Sequence, residues 1–181
     1  VQQYLAGLKG DIAPGWSFDV FASYDQSVHQ QTLHNAVLKS RVQTLLNAAD
    51  GGNSLCAGGF NPFGDANARS LSPACAAYIT KDAFSREKLG QTQVQAQVNG
   101  KLFDLGAGPA QIALVADYRK NTYSFVPDSD LRTQNIEAVI ASLPASGRIS
   151  VKEFAAQIDV PLLADKPFFK EFGIGDRKSV V

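Results

Sequence analysis

The sequence predicts an all-β chain: an antiparallel meander of about six strands, a segment of a transmembrane β-barrel, with a long external loop containing a short helix. Three observations predict it. Apolar and polar residues alternate with period two in four separate segments, the signature of strands whose faces meet different surroundings. The connections between them are short and long in turn, as in outer-membrane barrels, where short turns lie on the periplasmic side and long loops outside. No apolar run reaches the roughly 18 residues that a membrane-spanning helix requires, so a membrane role would fall to strands.

The first strand is expected at about residues 2–10, and Asp11-Ile12-Ala13-Pro14-Gly15 turns the chain tightly. In the second strand, about 16–28, Trp16, Phe18, Val20, Ala22 and Tyr24 share a face opposite Ser17, Asp19 and Ser23. A long external loop, 25–91, follows. Within Ala36 to Ala49, residues Leu38, Val42, Leu45, Leu46 and Ala49 keep helical spacing and predict a short amphipathic helix. The third strand, 92–105, sets Val94, Ala96, Val98 and Leu102 against Gln93, Gln95, Gln97, Asn99 and Lys101. That polar row fits a hydrated lumen or a contact with a plug, and equally a plain solvated face.

Gly106-Ala107-Gly108-Pro109 makes the next turn. The fourth strand, 109–126, alternates Ile112, Leu114, Ala116 and Tyr118 with Gln111, Asp117 and Arg119. A second external loop is expected at 127–148. The fifth strand, 149–163, opposes Phe154, Ala156, Ile158 and Val160 to Glu153, Gln157 and Asp159. After the turn Ala164-Asp165-Lys166-Pro167, a sixth strand over 168–176 passes into residues 173–181, which read as an irregular tail of two glycines and basic residues. The middle strands exceed the usual soluble length and meet the roughly 9–11 residues that a tilted membrane strand needs.

Composition narrows the function classes. The formal net charge is zero and charged residues make up 19%, so no basic excess points to nucleic acid. A 45% hydrophobic content excludes a disordered chain. There is no methionine, even at position 1, and no signal-peptide pattern, so a mature or internal fragment is expected. Cys56 and Cys75 lie in a Gly/Asn/Pro/Ser-rich stretch without zinc-type spacing. A disulfide closing a surface loop is the favoured reading, against two unrelated free thiols.

No catalytic, cofactor-binding or metal site is expected. His29 and His34 are five residues apart, on different faces of a helix or strand. HExxH, GxSxG, P-loop and GxGxxG patterns are all absent. Asp128-Ser129-Asp130 opens like a calcium loop, but Thr133 stands where the sharp turn requires glycine.

Several phrases in order resemble the TonB-dependent outer-membrane receptors. They are Gly10-Asp11-Ile12-Ala13-Pro14-Gly15-Trp16-Ser17-Phe18-Asp19-Val20, Cys56-Ala57-Gly58-Gly59-Phe60-Asn61-Pro62-Phe63-Gly64 and Ser72-Pro73-Ala74-Cys75. Gly100-Lys101-Leu102-Phe103-Asp104-Leu105-Gly106-Ala107-Gly108, Ala116-Asp117-Tyr118-Arg119, Val151-Lys152-Glu153-Phe154 and Val160-Pro161-Leu162-Leu163 complete the set. The resemblance covers nearly the whole chain and implies an internal piece of a receptor barrel of about 22 strands. It implies location in a Gram-negative outer membrane and uptake of a scarce nutrient: an iron–siderophore, a vitamin or an oligosaccharide. Its partners would be lipid and, through an N-terminal plug region not within these residues, the TonB complex. A piece without plug or TonB box would not transport alone.

Trp16, Tyr24, Tyr118 and Tyr123 are the aromatics expected at the lipid–water interface. An open set of six strands also leaves two edges, so self-association through edge strands is expected. The alternative reading is a soluble β-sheet binding module, for example carbohydrate-binding, with its apolar face turned to a core.

Overall fold

The computed structural model describes residues 1–63, 71–166 and 169–180. Gly64, Pro167, Phe168 and Val181, used above in a loop phrase, a turn, a strand and the tail, lie outside the described residues. The chain forms one six-stranded antiparallel sheet in simple sequence order, β1-β2-β3-β4-β5-β6. The strands are β1 (Gln2–Ala13), β2 (Trp16–Val37), β3 (Thr80–Asp104), β4 (Pro109–Val126), β5 (Ala145–Lys166) and β6 (Phe169–Val180). Among the described residues, three short helices sit in the long connections: α1 (Lys39–Leu46), α2 (Pro73–Ile79) and α3 (Ser129–Arg132).

The meander, the bounds of the fourth strand and the helix near residue 40 agree with the sequence; other boundaries do not. The expected loop 25–91 is strand over Asp25–Val37 and again from Thr80 onward. Beyond Tyr24 neither face of β2 is apolar, so the period-two signal vanishes although the ladder continues. The loop 127–148 holds α3, and β5 already begins at Ala145. The expected irregular tail is ordinary strand: Gly173–Val180 pairs with Pro161–Phe154. Two glycines and three charges hide its alternation, and β5 supplies the template that a local reading cannot see.

The chain divides into two compact units, one of Val1–Ser27, Leu89–Tyr123 and Gly147–Val181, the other of Val28–Lys88 and Ser124–Ser146. In the first, β1 and β2 pair in a register that opposes Tyr4 to Tyr24, Ala6 to Ala22 and Leu8 to Val20, with Gly10 against Phe18. Lys9 faces Asp19 on the other side. Tyr4, Ala6 and Leu8 thus each meet another apolar residue. Gly15, at φ 79°, makes the two-residue turn that only glycine adopts at little cost. Its carbonyl accepts from the Lys101 amide at 3.0 Å, tying the turn to β3.

One packing feature locks this end of the sheet. The Trp16 indole lies directly on Gly100 of β3, and a methyl group there would overlap the ring. Gly100 is buried although it has no side chain, because the indole covers it.

The second unit holds almost all of the apolar core. Ala36, Leu38, Ala83 and Ile136 form one cluster, and Leu45, Cys56, Cys75 and Ile79 form another. Asn135 starts α1 from a distant segment: its side-chain oxygen accepts from the Ser40 amide at 2.9 Å and its carbonyl from the Lys39 amide at 2.7 Å. Leu38, at the helix's own N-cap position, has no side chain that could do this. Ser72 caps α2, accepting from the Cys75 amide at 3.2 Å. Pro73 occupies the first turn of α2, where its missing N–H costs nothing.

Two outcomes are expected. Gly100→Ala forces the indole off β3 and lowers stability by about 1–3 kcal/mol, read from denaturant titration of Trp16 fluorescence. An unchanged midpoint would show that the ring yields freely. Replacing Cys56 and Cys75 together by serine removes the crosslink across 19 residues of sequence and costs about 3 kcal/mol, measured as a lowered denaturation midpoint.

Candidate functional site

The sheet's two faces are the features that carry chemistry in the first unit. The apolar face takes Tyr4, Ala6 and Leu8 from β1, and Trp16, Phe18, Val20, Ala22 and Tyr24 from β2. By the same alternation it takes Val94, Ala96 and Val98 from β3, Leu114 and Ala116 from β4, and Phe154, Ala156 and Ile158 from β5. These side chains are largely exposed: Leu8 is 75% and Phe154 61% accessible, and Val94, Leu114 and Ile158 are also open. Among the described residues, the buried apolar set includes only Ala110 from this unit; the others belong to the second unit. An apolar face this wide with no protein over it is the central observation about the site.

The opposite face is polar and internally hydrogen-bonded. Gln91 donates to Asn121 at 2.9 Å and Gln93 to Asp117 at 2.8 Å, joining β3 to β4. Gln97 donates to Asn99 at 3.1 Å, and Gln157 to Asp159 at 3.0 Å. Arg119 lies 3.9 Å from Glu153 of β5. Gln93, Gln95, Asp117, Arg119, Glu153 and Arg177 surround a hollow of about 350 Å³. Asp117 Oδ1 is covered and has no hydrogen-bond partner. The hollow carries balanced charge, from Asp117 and Glu153 against Arg119 and Arg177, and can hold water or a neutral polar group.

The four aromatics singled out from sequence separate into two groups. Trp16 and Tyr24 stand at the two ends of the apolar row of β2, eight residues and about 26 Å of strand apart. Tyr24 faces Tyr4 across the ladder and accepts from Gln26 at 2.7 Å. Tyr118 belongs to the apolar row of β4. Tyr123 is of opposite parity and falls in the row of Asp117, Arg119 and Asn121, so alternation does not place it with the other three.

β6 breaks the pattern. Its residues opposite Ala156 and Ile158 are Lys178 and Asp176, which put two charges into the apolar row; Ile174 and Val180 flank them. The apolar row is therefore interrupted at β6.

In the second unit, Cys56 and Cys75 form a disulfide with Cα atoms 4.9 Å apart. Both are buried, packed with Leu45 and Ile79 and bordered by Val42, Phe60 and Tyr78. Arg41 donates to the Tyr78 carbonyl at 2.7 Å and stacks 5.8 Å from its ring centre. His29 and His34 fall on opposite faces of β2, and His34 Nδ1 is 2.8 Å from Asp82. Among the described residues no group of three His, Cys, Asp or Glu side chains could hold a metal ion.

Lys81, Asp128 and Asp130 form a cluster that sequence reasoning passed over. Lys81 Nζ bridges both carboxylates, at 3.0 Å from Asp128. Asp128 also caps α3, accepting from the Asp130 amide at 2.8 Å, and takes the Phe84 amide at 3.2 Å. Burial pushes the Asp128 carboxyl up, but the Asp130 amide, Lys81 and the Phe84 amide together hold it below the usual carboxylate range. Asp130 is lowered by the Asn135 side-chain amide first and Lys81 second. The available signal was Asp128-Ser129-Asp130 itself, a helix-cap pattern as much as an ion loop.

Because both carboxyls are depressed in the folded chain, their stabilisation is complete above the ordinary carboxylate value of about 4 and fades as pH falls through the lowered values. Hydrogen-exchange protection at the Phe84 and Asp130 amides should therefore be level from about pH 5 to 8 and drop in acid below about 4. Protection that stays level under acid conditions would remove the cluster from the stability of this unit.

No protein-family model, curated protein or solved structure matches the chain.

Proposed function

We propose that the chain is a stretch of the membrane-embedded β-barrel of a TonB-dependent outer-membrane receptor, taking part in nutrient uptake when joined to the rest of that receptor. The observation that carries this reading is the apolar face of the sheet, exposed across β1–β5 with no core above it. Water is a poor solvent for such a face, since every 100 Å² of it that is removed from water is worth about 2.5 kcal/mol. Lipid is a good one.

Three further features support the reading. The connections between described strands alternate between short (residues 14–15 and 105–108) and long (38–79 and 127–144), the asymmetry of outer-membrane barrels. The apolar row of β2 is bounded by Trp16 and Tyr24, and a tilt of about 40° makes it span about 20 Å, most of the roughly 25 Å band of such barrels. The polar face, with its ladder of Gln, Asn and Asp, suits a hydrated interior. The transported nutrient, whether iron–siderophore, vitamin or oligosaccharide, comes from the sequence resemblance alone. No helix among the described residues is long and apolar enough to cross a membrane, which leaves crossing by strands untouched.

The test is refolding of the 181-residue chain into lipid vesicles carrying brominated acyl chains. Quenching of Trp16 fluorescence, together with gel mobility that changes on boiling, is the expected result. A chain that stays folded and monodisperse in plain buffer, with unquenched Trp16, would overturn the membrane reading and favour the soluble binding module.

A further inference from the structure

Two lysines stand where the apolar face of the sheet gives way to polar residues. Lys120 of β4 and Lys152 of β5 continue the apolar rows one step past Tyr118 and Phe154, toward the ends of these strands that lead into the long connection. Arg119 and Glu153, their neighbours in sequence, meet at 3.9 Å on the polar side. Lys120 and Lys152 are therefore neighbours on the apolar side, with Cβ atoms about 5–8 Å apart whether directly or diagonally opposite. Arg148 and Ser150 extend the row of β5, and Thr122 that of β4. Neither row holds an acid, and at the turn end they run out through Ile112 and Val160, which carry no charge. Among the described residues, Lys120, Arg148 and Lys152 are in no ion pair. Like charges side by side on a sheet repel, and an anion between them reverses the sign.

We propose that Lys120 and Lys152, extended by Arg148, hold the phosphate of an anionic lipid whose acyl chain lies on the apolar face beside them. Next to the pair, Ala96, Ala116 and Ala156 leave a hollow of about 440 Å³ walled by Leu114 and Phe154. The hollow takes hydrocarbon, and the lysines take the headgroup as compact charges with several N–H donors each. A free phosphate would engage only the lysines, and the choline of a zwitterionic headgroup would be repelled by them. The site lies on β4 and β5, each paired on both sides within the sheet, and it faces outward from the polar row.

The site rests on the membrane reading of the sheet, and the experiment separates the two. The 181-residue chain is refolded in neutral detergent micelles and titrated with dioleoyl phosphatidate, dioleoyl phosphatidylcholine or inorganic phosphate. Native mass spectrometry counts what each chain retains, and Trp16 quenching by brominated lipid is read on the same samples. Expected is retention of phosphatidate in preference to the other two. Lys120→Gln with Lys152→Gln should weaken it about 25-fold, about fivefold for each charge. The double change to arginine should keep it. Lys9→Gln with Lys101→Gln, which removes equal charge from the polar face, should leave it unchanged. Phosphatidate held as tightly by the Lys120→Gln, Lys152→Gln chain as by the original would overturn the proposal. Equal weakening by the polar-face changes would reduce it to net charge and overturn it too. Inorganic phosphate held as tightly as phosphatidate would replace the lipid by a free anion. If Trp16 is quenched while retention ignores Lys120 and Lys152, only the lipid site fails. If the chain stays folded in plain buffer with Trp16 unquenched, the membrane reading and the site fail together.

Discussion

The constraint on which the rest of the structure depends is the mismatch between the two faces of one sheet. A strand forces successive side chains to opposite sides, so each segment that alternates Val-Gln-Ala-Gln or Phe-Asp-Val must satisfy two solvents at once. The polar side of this sheet satisfies itself through amide and carboxylate bonds such as Gln93 to Asp117. The apolar side has no such recourse and stays open. Register then follows with little freedom, because a slip of one residue in β1 would bring Leu8 against a residue of the Asp19 row and expose the error along the whole strand.

The second unit answers the same need in the ordinary way of a water-soluble fold. Its apolar residues are gathered into two small clusters, pinned by the Cys56–Cys75 bond and fastened by Lys81 between two aspartates. The two units therefore obey different rules within one chain: one buries its hydrophobes against each other, and the other leaves them open. Asn135 shows how tightly the second is braced, since one residue caps α1 by side chain and backbone and donates to Asp130.

Legibility in the sequence followed the physics of each region. Where one face of a strand is apolar and the other polar, as from Trp16 to Tyr24 or Phe154 to Val160, the strand and its facing could be read directly. Where both faces are polar, as in Gln26–Asn35, the ladder persists without any periodic signal, and a strand was mistaken for loop. The C-terminal half of β6 was misread as an irregular tail for a related reason: its pairing is dictated by β5, a partner that local pattern cannot reveal. Cys56 and Cys75 were legible as a pair from their loop setting. The Lys81 cluster was not, because Lys81 lies 47 residues from Asp128 and only the folded ladder brings them together.

The disulfide-bearing unit has a consequence for the order in which the chain acquires structure. Its hydrophobic clusters and crosslink are complete within Val28–Lys88 and Ser124–Ser146, so their gain in stability does not wait for the open face of the first unit. The Val28–Lys88 and Ser124–Ser146 segments emerge from four of the six strands. Their early consolidation would bring those strand ends to one place before the rest of the sheet pairs. The costliest step of assembly, closing long loops to align distant strands, would then fall to the two clusters around Cys75 and Ile136, and the rest of the sheet would complete an order already set.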